Sequence, residues 1–175
     1  EMSASLVGSE MCIRDRLRWA TGNLKSTGST NYIWAPSQTE TGYYYTWYST
    51  YTGNKTTNNT DPCSKLNTAY YGTGWRTPSE NDYIPLSRCT DKVLTNGGMW
   101  FMNKSIGIFL LAAGTIGNGG GSATSNPNYS TAKTGQYWTS KKDGENRGIS
   151  FTFNPSSTFM FSDYQATGIP VRCVK

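Results

Sequence analysis

The stretch Gly74–Glu80 (GWRTPSE) constrains the fold most, because several of its residues agree on one helix start. The Thr77 hydroxyl can accept a backbone N–H at the N-cap position. Pro78 then takes the first helical position, where its missing N–H costs nothing. Glu80 follows three residues after Thr77 and can reach back to the N–H of the cap, which completes a capping box. We therefore expect a helix that begins immediately after Thr77.

The residues around this start indicate a structural corner rather than a catalytic site. Trp75 is large enough to anchor the helix start to a core, and Arg76 offers a planar guanidinium to backbone carbonyls or a carboxylate. Pro85 removes a hydrogen bond from the helix interior, so a kink or an early end is expected there. Function usually lies on the loops that such a scaffold positions.

The rest of the chain is predicted as short strands separated by turns. Apolar and aromatic residues occur in short runs bounded by Gly, Asn, Pro and Ser. The predicted strands lie at 17–25 (ending in a turn at Gly22-Asn23), 32–35, 99–101, 106–113, 137–140, 149–153, 158–162 and 170–174. The run 106–113 is apolar on both faces and predicts a central, fully buried strand, whereas 149–153 alternates and predicts a half-buried one. Short strands with a single helix indicate an α+β fold with a dominant antiparallel sheet.

One hydrophobic core is expected from the large apolar residues of these segments. Each of them lies in a short apolar run bounded by turn residues. The predicted core residues are Trp75, Trp100, Phe109, Trp138, Phe151, Phe153 and Val171.

The segment Tyr43–Tyr51 (YYYTWYSTY) is aromatic at nearly every position and has two interpretations of equal weight. It can be a platform on which a sugar ring or a base stacks. It can equally be a strand packed on both sides, since large aromatic residues are as often core as contact. The polar segment 53–61 is predicted as a loop. The segment 117–128 is too rich in Gly, Ser and Asn for regular structure, and it lacks the Lys-Ser/Thr ending of a phosphate-binding loop.

Composition favours a binding protein outside the cell. The formal net charge is +5 with scattered basic residues, so nucleic-acid binding is not predicted. The sequence contains no His, which excludes Ser-His-Asp and Cys-His catalytic arrangements. Many Tyr, Ser, Gly and Asn residues are typical of binding loops. No run approaches the ~20 apolar residues of a membrane span. We predict no cofactor and no metal.

Three cysteines follow residue 16, namely Cys63, Cys89 and Cys173, and one bridge among them has three possible pairings. We favour Cys63 with Cys173, because this bridge ties a loop ahead of the helix to the final strand. Cys89 is then expected as a buried free thiol near the helix end. Export from the cell is the condition under which such a bridge persists.

The first sixteen residues are expected to be a non-native or disordered leader. The segment 3–16 (SASLVGSEMCIRDR) resembles a translated sequencing-adapter read-through and lacks the basic start and apolar run of a signal peptide. A single domain is predicted over 17–175, and the native N-terminus, with any signal or anchor, is expected to be missing.

Several short motifs occur in an order that is more specific than any one of them. They are 19–24 (WATGNL), 61–63 (DPC), 74–80 (GWRTPSE), 108–114 (IFLLAAG), 135–140 (GQYWTS) and 168–174 (GIPVRCV). This order resembles the Fibrobacter succinogenes major paralogous domain family, which is abundant in Bacteroidetes surface proteins. Leu111 stands where the family usually has Pro. The resemblance covers nearly all of the chain after Arg16.

The resemblance implies a C-type-lectin-like fold, related to formylglycine-generating enzymes and to the variable proteins of diversity-generating retroelements. It therefore implies binding of a protein or glycan on another cell, by an adhesin or receptor-binding domain at a bacterial surface or on a phage. A structural pilin or stalk module is the alternative, and an enzyme of the formylglycine-generating type is less favoured because no matching cysteine pair is present. The calcium-dependent sugar motifs of animal lectins are also absent from the sequence.

In the family, positions that match three C-terminal turns lie on one face and vary. These turns are 141–147, 154–157 and 162–167 in this sequence. The ligand-binding residues that the resemblance implies are Lys142, Asp143, Asn146, Arg147, Phe159, Asp163, Tyr164 and Gln165.

Overall fold

The computed structural model describes residues 17–26, 32–50, 57–89, 91–95, 97–103, 106–116 and 134–175. The predicted leader, residues 1–16, and the predicted loop 117–128 lie outside the described residues. So do residues 53–56 of the predicted loop 53–61, whereas 57–61 are described and form no helix or strand.

Ten short strands, two α-helices and one 3₁₀ helix make up the described chain. In order they are β1 (Leu24–Ser26), β2 (Tyr32–Trp34), β3 (Tyr44–Tyr45), the 3₁₀ helix (Pro62–Lys65), α1 (Thr68–Tyr71), α2 (Glu80–Ser87), β4 (Asp91–Thr95), β5 (Gly98–Asn103), β6 (Ile106–Leu111), β7 (Gly135–Lys142), β8 (Arg147–Phe153), β9 (Thr158–Tyr164) and β10 (Ile169–Pro170). The pairings β1-β2, β10-β3, β4-β5-β6 and β7-β8-β9 are all antiparallel. The predicted sheet-rich α+β class is confirmed.

The two ends of the described chain lie side by side. Arg18 and Lys175 exchange two backbone hydrogen bonds of 2.9 Å each, and Val174 forms isolated bridges with both Trp19 and Arg76. The last segment therefore joins the start of the domain to the corner before α2. The predicted strand at 17–25 is present only as the bridge at Trp19, and β1 begins after the Gly22-Asn23 turn.

The strand β6 is buried as predicted but lies at an edge rather than in the centre of its sheet. Within the described residues its one strand partner is β5, in the order β4-β5-β6. Its side chains are buried because both faces are covered: Leu110 packs in one hydrophobic cluster, and Phe109 and Leu111 pack in another. An apolar pattern on both faces therefore reports layers above and below a strand and says nothing about its neighbours in the sheet.

The helix at the corner begins two residues later than predicted. The N-cap is Ser79, whose backbone N–H and hydroxyl each donate to Asp82 Oδ2 at 2.7 Å. Thr77 does not cap the helix, because its hydroxyl and backbone N–H both donate to the carboxylate of Asp61. Asp61 is 16 residues away, so this competition is a long-range effect.

Arg76 holds a carboxylate, as predicted. Its Nη1 and Nη2 donate to the two oxygens of Asp82 at 2.6 and 3.2 Å, a two-pronged arrangement. Pro85 lies inside α2, and the helix ends two residues later at Ser87, which fits the expected early end.

The predicted core residues occupy three hydrophobic clusters rather than one. Phe151 and Phe153 pack with Tyr83 and Phe101 in the first cluster. Trp138 and Val171 belong to the second, against which the half-buried Trp75 packs, and Phe109 belongs to the third together with the half-buried Trp100. The clusters are separate because neighbouring residues of one strand face opposite sides: Leu110 of β6 packs in the first cluster, whereas Phe109 and Leu111 pack in the third.

The aromatic segment after residue 43 is packed, which favours the second of its two interpretations. Tyr44 and Tyr45 are fully buried and Trp47 is nearly so. Trp47 Nε1 donates to the Thr139 carbonyl at 3.0 Å, and the Tyr44 hydroxyl donates to the Ala113 carbonyl at 2.7 Å. These rings hold the layers together and are not available to a ligand.

The bridge between Cys63 and Cys173 is confirmed, with Cα atoms 5.7 Å apart and 110 residues between them in sequence. The expectation of a free thiol at Cys89 is wrong. Cys89 is also disulfide-bonded, to a partner outside the described residues, and no cysteine among the described residues is free.

Candidate functional site

The sheet of β7, β8 and β9 has one face packed on the protein and one partly open. Register pairs Tyr137 with Phe151 and Phe151 with Met160, so these residues share the inner face. The helix α2 covers that face, with Tyr83 stacked on Phe151 at 4.7 Å between ring centroids. Because side chains alternate along a strand, the residues between these point to the opposite, outer face.

Two neighbouring phenylalanines of β9 are exposed on the outer face. Phe159 is 42% exposed and Phe161 48% exposed, and their ring centroids are 6.4 Å apart in an edge-on arrangement. They stand opposite Thr152 and Ser150 of β8. Exposed apolar patches with a polar border mark interaction sites on soluble domains. This pair is the clearest such patch on the sheet.

A polar network borders the phenylalanine pair. Asp163 Oδ2 accepts hydrogen bonds from Ser150 Oγ at 2.7 Å and from Gln136 Nε2 at 3.2 Å. Gln136 Nε2 also lies 3.2 Å from Thr152 Oγ1. Burial raises the pKa of Asp163, against the lowering effects of the Ser150 hydrogen bond and the charge of Arg147. The Asp163 carboxylate thus lies beside the phenylalanine pair as a hydrogen-bond acceptor on the outer face.

The polar residues of β8 correct one prediction. The alternation over 149–153 predicts that Ser150 and Thr152 face solvent, but both are buried, and Ile149 is the partly exposed residue. Their hydroxyls are used in the network beside Asp163. The side chains alternate as predicted, but the outer side of β8 is covered as well, so its polar residues are buried too.

The tryptophan Trp47 covers one end of the outer face. A Cβ atom on Gly148 would lie 2.2 Å from Trp47 Cδ1, so only glycine fits beneath the ring. Trp138 of β7 also lies on the outer face, but it is fully buried and donates through Nε1 to the Tyr45 carbonyl at 2.7 Å. The open part of the outer face is thereby limited to the side that β9 forms.

The turn between β7 and β8 presents three of the predicted ligand-binding residues. Lys142, Asp143 and Asn146 are exposed there. The turn is fixed by a 2.9 Å hydrogen bond from Asp143 N to the Arg147 carbonyl and by Gly144, whose φ is +75°. The exposed side chains are thus carried by a backbone that a hydrogen bond and a glycine turn hold in place.

Arg147 and Tyr164 form a second pair, away from the phenylalanines. The Arg147 guanidinium carbon lies 4.2 Å from the centre of the Tyr164 ring, and Arg147 Nη1 donates to the Ser162 carbonyl at 2.9 Å. The two residues are register partners and belong to the inner-face set of β8 and β9, beyond the end of the packed core. Of the eight predicted residues, Phe159 and Asp163 therefore lie on the outer face, and Arg147 and Tyr164 lie on the other.

Gln165 is a structural residue. Its side chain is only 8% exposed, and its Nε2 donates to the Arg147 carbonyl at 3.1 Å. Its backbone N–H donates to the Asn146 carbonyl at 2.9 Å. The side chain closes the β7–β8 turn onto the segment after β9, which leaves little of it for a ligand.

The prediction omitted Phe161 and Gln136, which complete the open face. The signal for Phe161 was present, because Phe159-Met160-Phe161 is apolar on both faces of a predicted strand near the chain end. For Gln136 no local signal exists, since its place beside Asp163 depends on the order of three strands.

A further aromatic group lies elsewhere on the domain. Trp34 contacts Tyr71 and Trp75 at 4.4 and 4.7 Å between centroids, and Trp75 Nε1 donates to the Tyr71 carbonyl. These rings are half-buried and pack on one another, while the adjacent Tyr70 is 85% exposed. Mutual packing accounts for this cluster without a ligand.

Within the described ranges, no group of three or more His, Cys, Asp or Glu side chains is placed to hold a metal ion. None of the helices described has the length and apolar character needed to cross a bilayer.

The outer face of the β7-β8-β9 sheet presents an aromatic pair, a carboxylate and an amide. Comparison with protein-family models, curated proteins and solved structures gives no match for this chain.

Proposed function

We propose that the chain is a ligand-binding domain with a C-type-lectin-like fold, and that its partner docks on the outer face of the β7-β8-β9 sheet. The observation that carries the proposal is the pair Phe159 and Phe161, exposed side by side next to the Asp163 network. Two apolar rings supply contact area, and the carboxylate and amide supply direction.

The fold assignment is supported by the arrangement of the elements. The first and last described segments pair with each other, both α-helices lie in the first half, and the three-stranded sheet with the open face lies in the last third. This agrees with the motif order that resembles the Fibrobacter succinogenes major paralogous domain family.

A location outside the cytoplasm is supported by the cysteines. Cys63 and Cys173 are bridged, and Cys89 is also bonded. Disulfides persist in oxidising compartments and are rare in the cytosol. We propose a bacterial surface or phage location.

The partner is a protein or a glycan, because both present the chemistry that the face recognises. A protein offers apolar side chains and backbone N–H groups, and a sugar offers an apolar ring face with hydroxyl donors. In either case the rings of Phe159 and Phe161 cover apolar area while Asp163 accepts a hydrogen bond.

A glycan array and a panel of purified bacterial and host surface proteins test the proposal. The wild type is compared with Phe159→Ala/Phe161→Ala and with Arg147→Ala/Tyr164→Ala, which removes the second surface. The matched control is Tyr70→Ala/Val93→Ala, because both residues are exposed and lie outside this sheet. We expect the phenylalanine variant to lose binding and the control to keep it.

Two outcomes contradict this proposal. Binding that survives in the phenylalanine variant and disappears in the Arg147/Tyr164 variant moves the site to the other surface. Absence of binding to both panels, with assembly of the protein into fibres, supports a pilin or stalk module instead.

A further inference from the structure

The strand β9 leaves one edge open. It is the last strand in the order β7-β8-β9, so within the described chain its outer backbone groups have no strand partner. It is seven residues long and contains no Pro, Lys or Arg; its one charged residue is Asp163, and its Ser162 carbonyl accepts a hydrogen bond from Arg147 Nη1. Natural proteins usually blunt such edges with charge, proline or a bulge, because an open edge pairs with other strands.

The sequence of this edge is self-complementary. Thr158-Phe159-Met160-Phe161-Ser162 has the same order of chemical types in both directions: hydroxyl, aromatic, apolar, aromatic, hydroxyl. A two-fold axis at Met160 would place Phe159 opposite Phe161 of a second copy, and Thr158 opposite its Ser162. Two-fold interfaces require this reciprocity, and aromatic pairs and hydroxyl pairs are favourable across antiparallel strands.

We propose that β9 pairs edge to edge with β9 of a second copy of this chain, with the two-fold axis at Met160. The two three-stranded sheets then form one continuous sheet of six strands. Hydrogen bonds run in the plane of the sheet, whereas the phenylalanine rings stand out of it. The outer faces of both copies therefore lie side by side, and the four phenylalanines form two adjacent cross-strand pairs.

The distribution of charge favours a second copy of this chain as the partner of β9. No charged residue lies between Arg147 and Asp163, so the hairpin of β8 and β9 brings no like charges together at the axis. This is notable in a chain whose formal net charge is +5. A strand from an unrelated protein would not place a hydroxyl opposite each hydroxyl and a ring opposite each ring of 158–162.

The contact is expected to be weak and dependent on concentration. A fully buried phenylalanine covers about 150–250 Å², and here roughly half of each ring's area is open. Together with the strand backbone this falls well short of the about 800 Å² per partner of a standard interface. The pairing deepens the proposed function, because two faces held together bind a multivalent partner with higher avidity.

Sedimentation velocity over a wide dilution series tests the pairing, with two matched double variants. Phe159→Lys/Phe161→Lys places lysine opposite lysine, whereas Phe159→Lys/Phe161→Glu places lysine opposite glutamate at both contacts. Both variants lose the same rings at exposed positions, so circular dichroism and melting should show that both fold.

We expect the wild type and the Lys/Glu variant to self-associate, and the Lys/Lys variant to do so at least about tenfold more weakly. A wild type that stays monomeric at every concentration overturns the pairing, as does equal association of the two variants. Amide hydrogen exchange adds a second readout, since β9 amides should gain protection as concentration rises. Protection of the β9 amides that appears only when another protein is added would mean that β9 pairs with a strand of that protein, and would also overturn the proposed pairing of two copies.

These results are separable from the proposed function. Both double variants lack the phenylalanine rings, so both should lose ligand binding whether or not they pair. Self-association that depends on charge, with no ligand found, would leave the pairing intact and refute only the ligand face.

Discussion

The corner before α2 and the outer face of the β7-β8-β9 sheet each contain a carboxylate in a hydrogen-bond network, but the two networks differ. Burial alone would raise the pKa of Asp82, and hydrogen bonds from Arg76 and Ser79 outweigh that effect and leave the pKa below its ordinary value. Burial raises the pKa of Asp163, and its partners do not reverse the shift. The first carboxylate forms an ion pair with Arg76, and the second is bound by the neutral groups of Ser150 and Gln136.

The aromatic residues also differ in exposure between the corner before α2 and the outer face of the sheet. At the corner, Tyr83 of α2 is fully buried against Phe151. On the outer face, Phe159 and Phe161 remain open although they belong to a strand of the same sheet. The aromatic residues on the inner side of the sheet therefore stabilise the fold, whereas those on the open part of the outer side are available to a partner.

The largest expected effect comes from the buried end of the outer face. Trp138→Ala removes a fully buried ring and leaves the Tyr45 carbonyl without its indole donor. We expect the free energy of unfolding to fall by about 3–5 kcal/mol. Denaturant titration measures this, with Tyr70→Ala as the control, because that side chain is 85% exposed. A Trp138→Ala midpoint equal to that of the control would show that this end of the face is not core.

The next effect concerns the bridge that ties the corner to the last segment. Cys63→Ala/Cys173→Ala removes the constraint on a loop of 110 residues in the unfolded chain. The expected cost is about 2–4 kcal/mol. Thermal unfolding with and without reductant measures it, and the variant should lose its sensitivity to reductant at this bridge. A melting temperature equal to that of the oxidised wild type would contradict the structural role of the bridge.

A smaller effect is expected at the corner carboxylate. Asp82→Asn weakens the interaction with Arg76, which is partly exposed, so a loss of about 1–2 kcal/mol at neutral pH is expected. Because the pKa of Asp82 is lowered on folding, its contribution is present above the unfolded value of about 3.9 and is lost as pH falls through the folded value. Urea midpoints against pH should therefore fall less in acid for the variant. An unchanged acid slope would refute the pairing.

The contribution of Asp163 to stability should change with pH in the opposite direction to that of Asp82, and by a smaller amount. Its pKa is raised on folding, so its contribution to stability is present below the unfolded value and is lost as pH rises through the folded value. Asp163→Asn keeps an oxygen for Ser150 and Gln136 and removes the charge. Stability at neutral pH should stay equal or rise, by less than about 1 kcal/mol. A loss as large as that of Asp82→Asn would mean that the two networks are alike.

The sequence predicts the scaffold better than the face. The strands predicted at 137–140, 149–153 and 158–162 and the α+β class follow from local patterns and turn residues, whereas the strand predicted at 170–174 is reduced to β10, Ile169–Pro170. The Cys63–Cys173 bridge is predicted from the loop and last segment that it ties together. The cap of α2 was misplaced because Thr77 is engaged by Asp61, a contact that no local pattern contains.

The division of the predicted site has a similar cause. The sequence predicts a strand that ends at residue 162 and a turn over 162–167, so its alternation of side chains does not reach Asp163 and Tyr164. The strand β9 in fact runs to Tyr164. Alternation then places Asp163 with Phe159 on the outer face, and Tyr164 with Arg147 on the other.

Hydroxyl-radical footprinting of the wild type, with and without a partner selected on the array or protein panel, tests the central claim most directly. The oxidation rates of Phe159 and Phe161 should fall on binding, while that of Tyr70, exposed on another part of the surface, should not change. Protection of Tyr70 or of Tyr164, with both phenylalanines oxidised at their free rates, would contradict the assignment of the outer face as the binding surface.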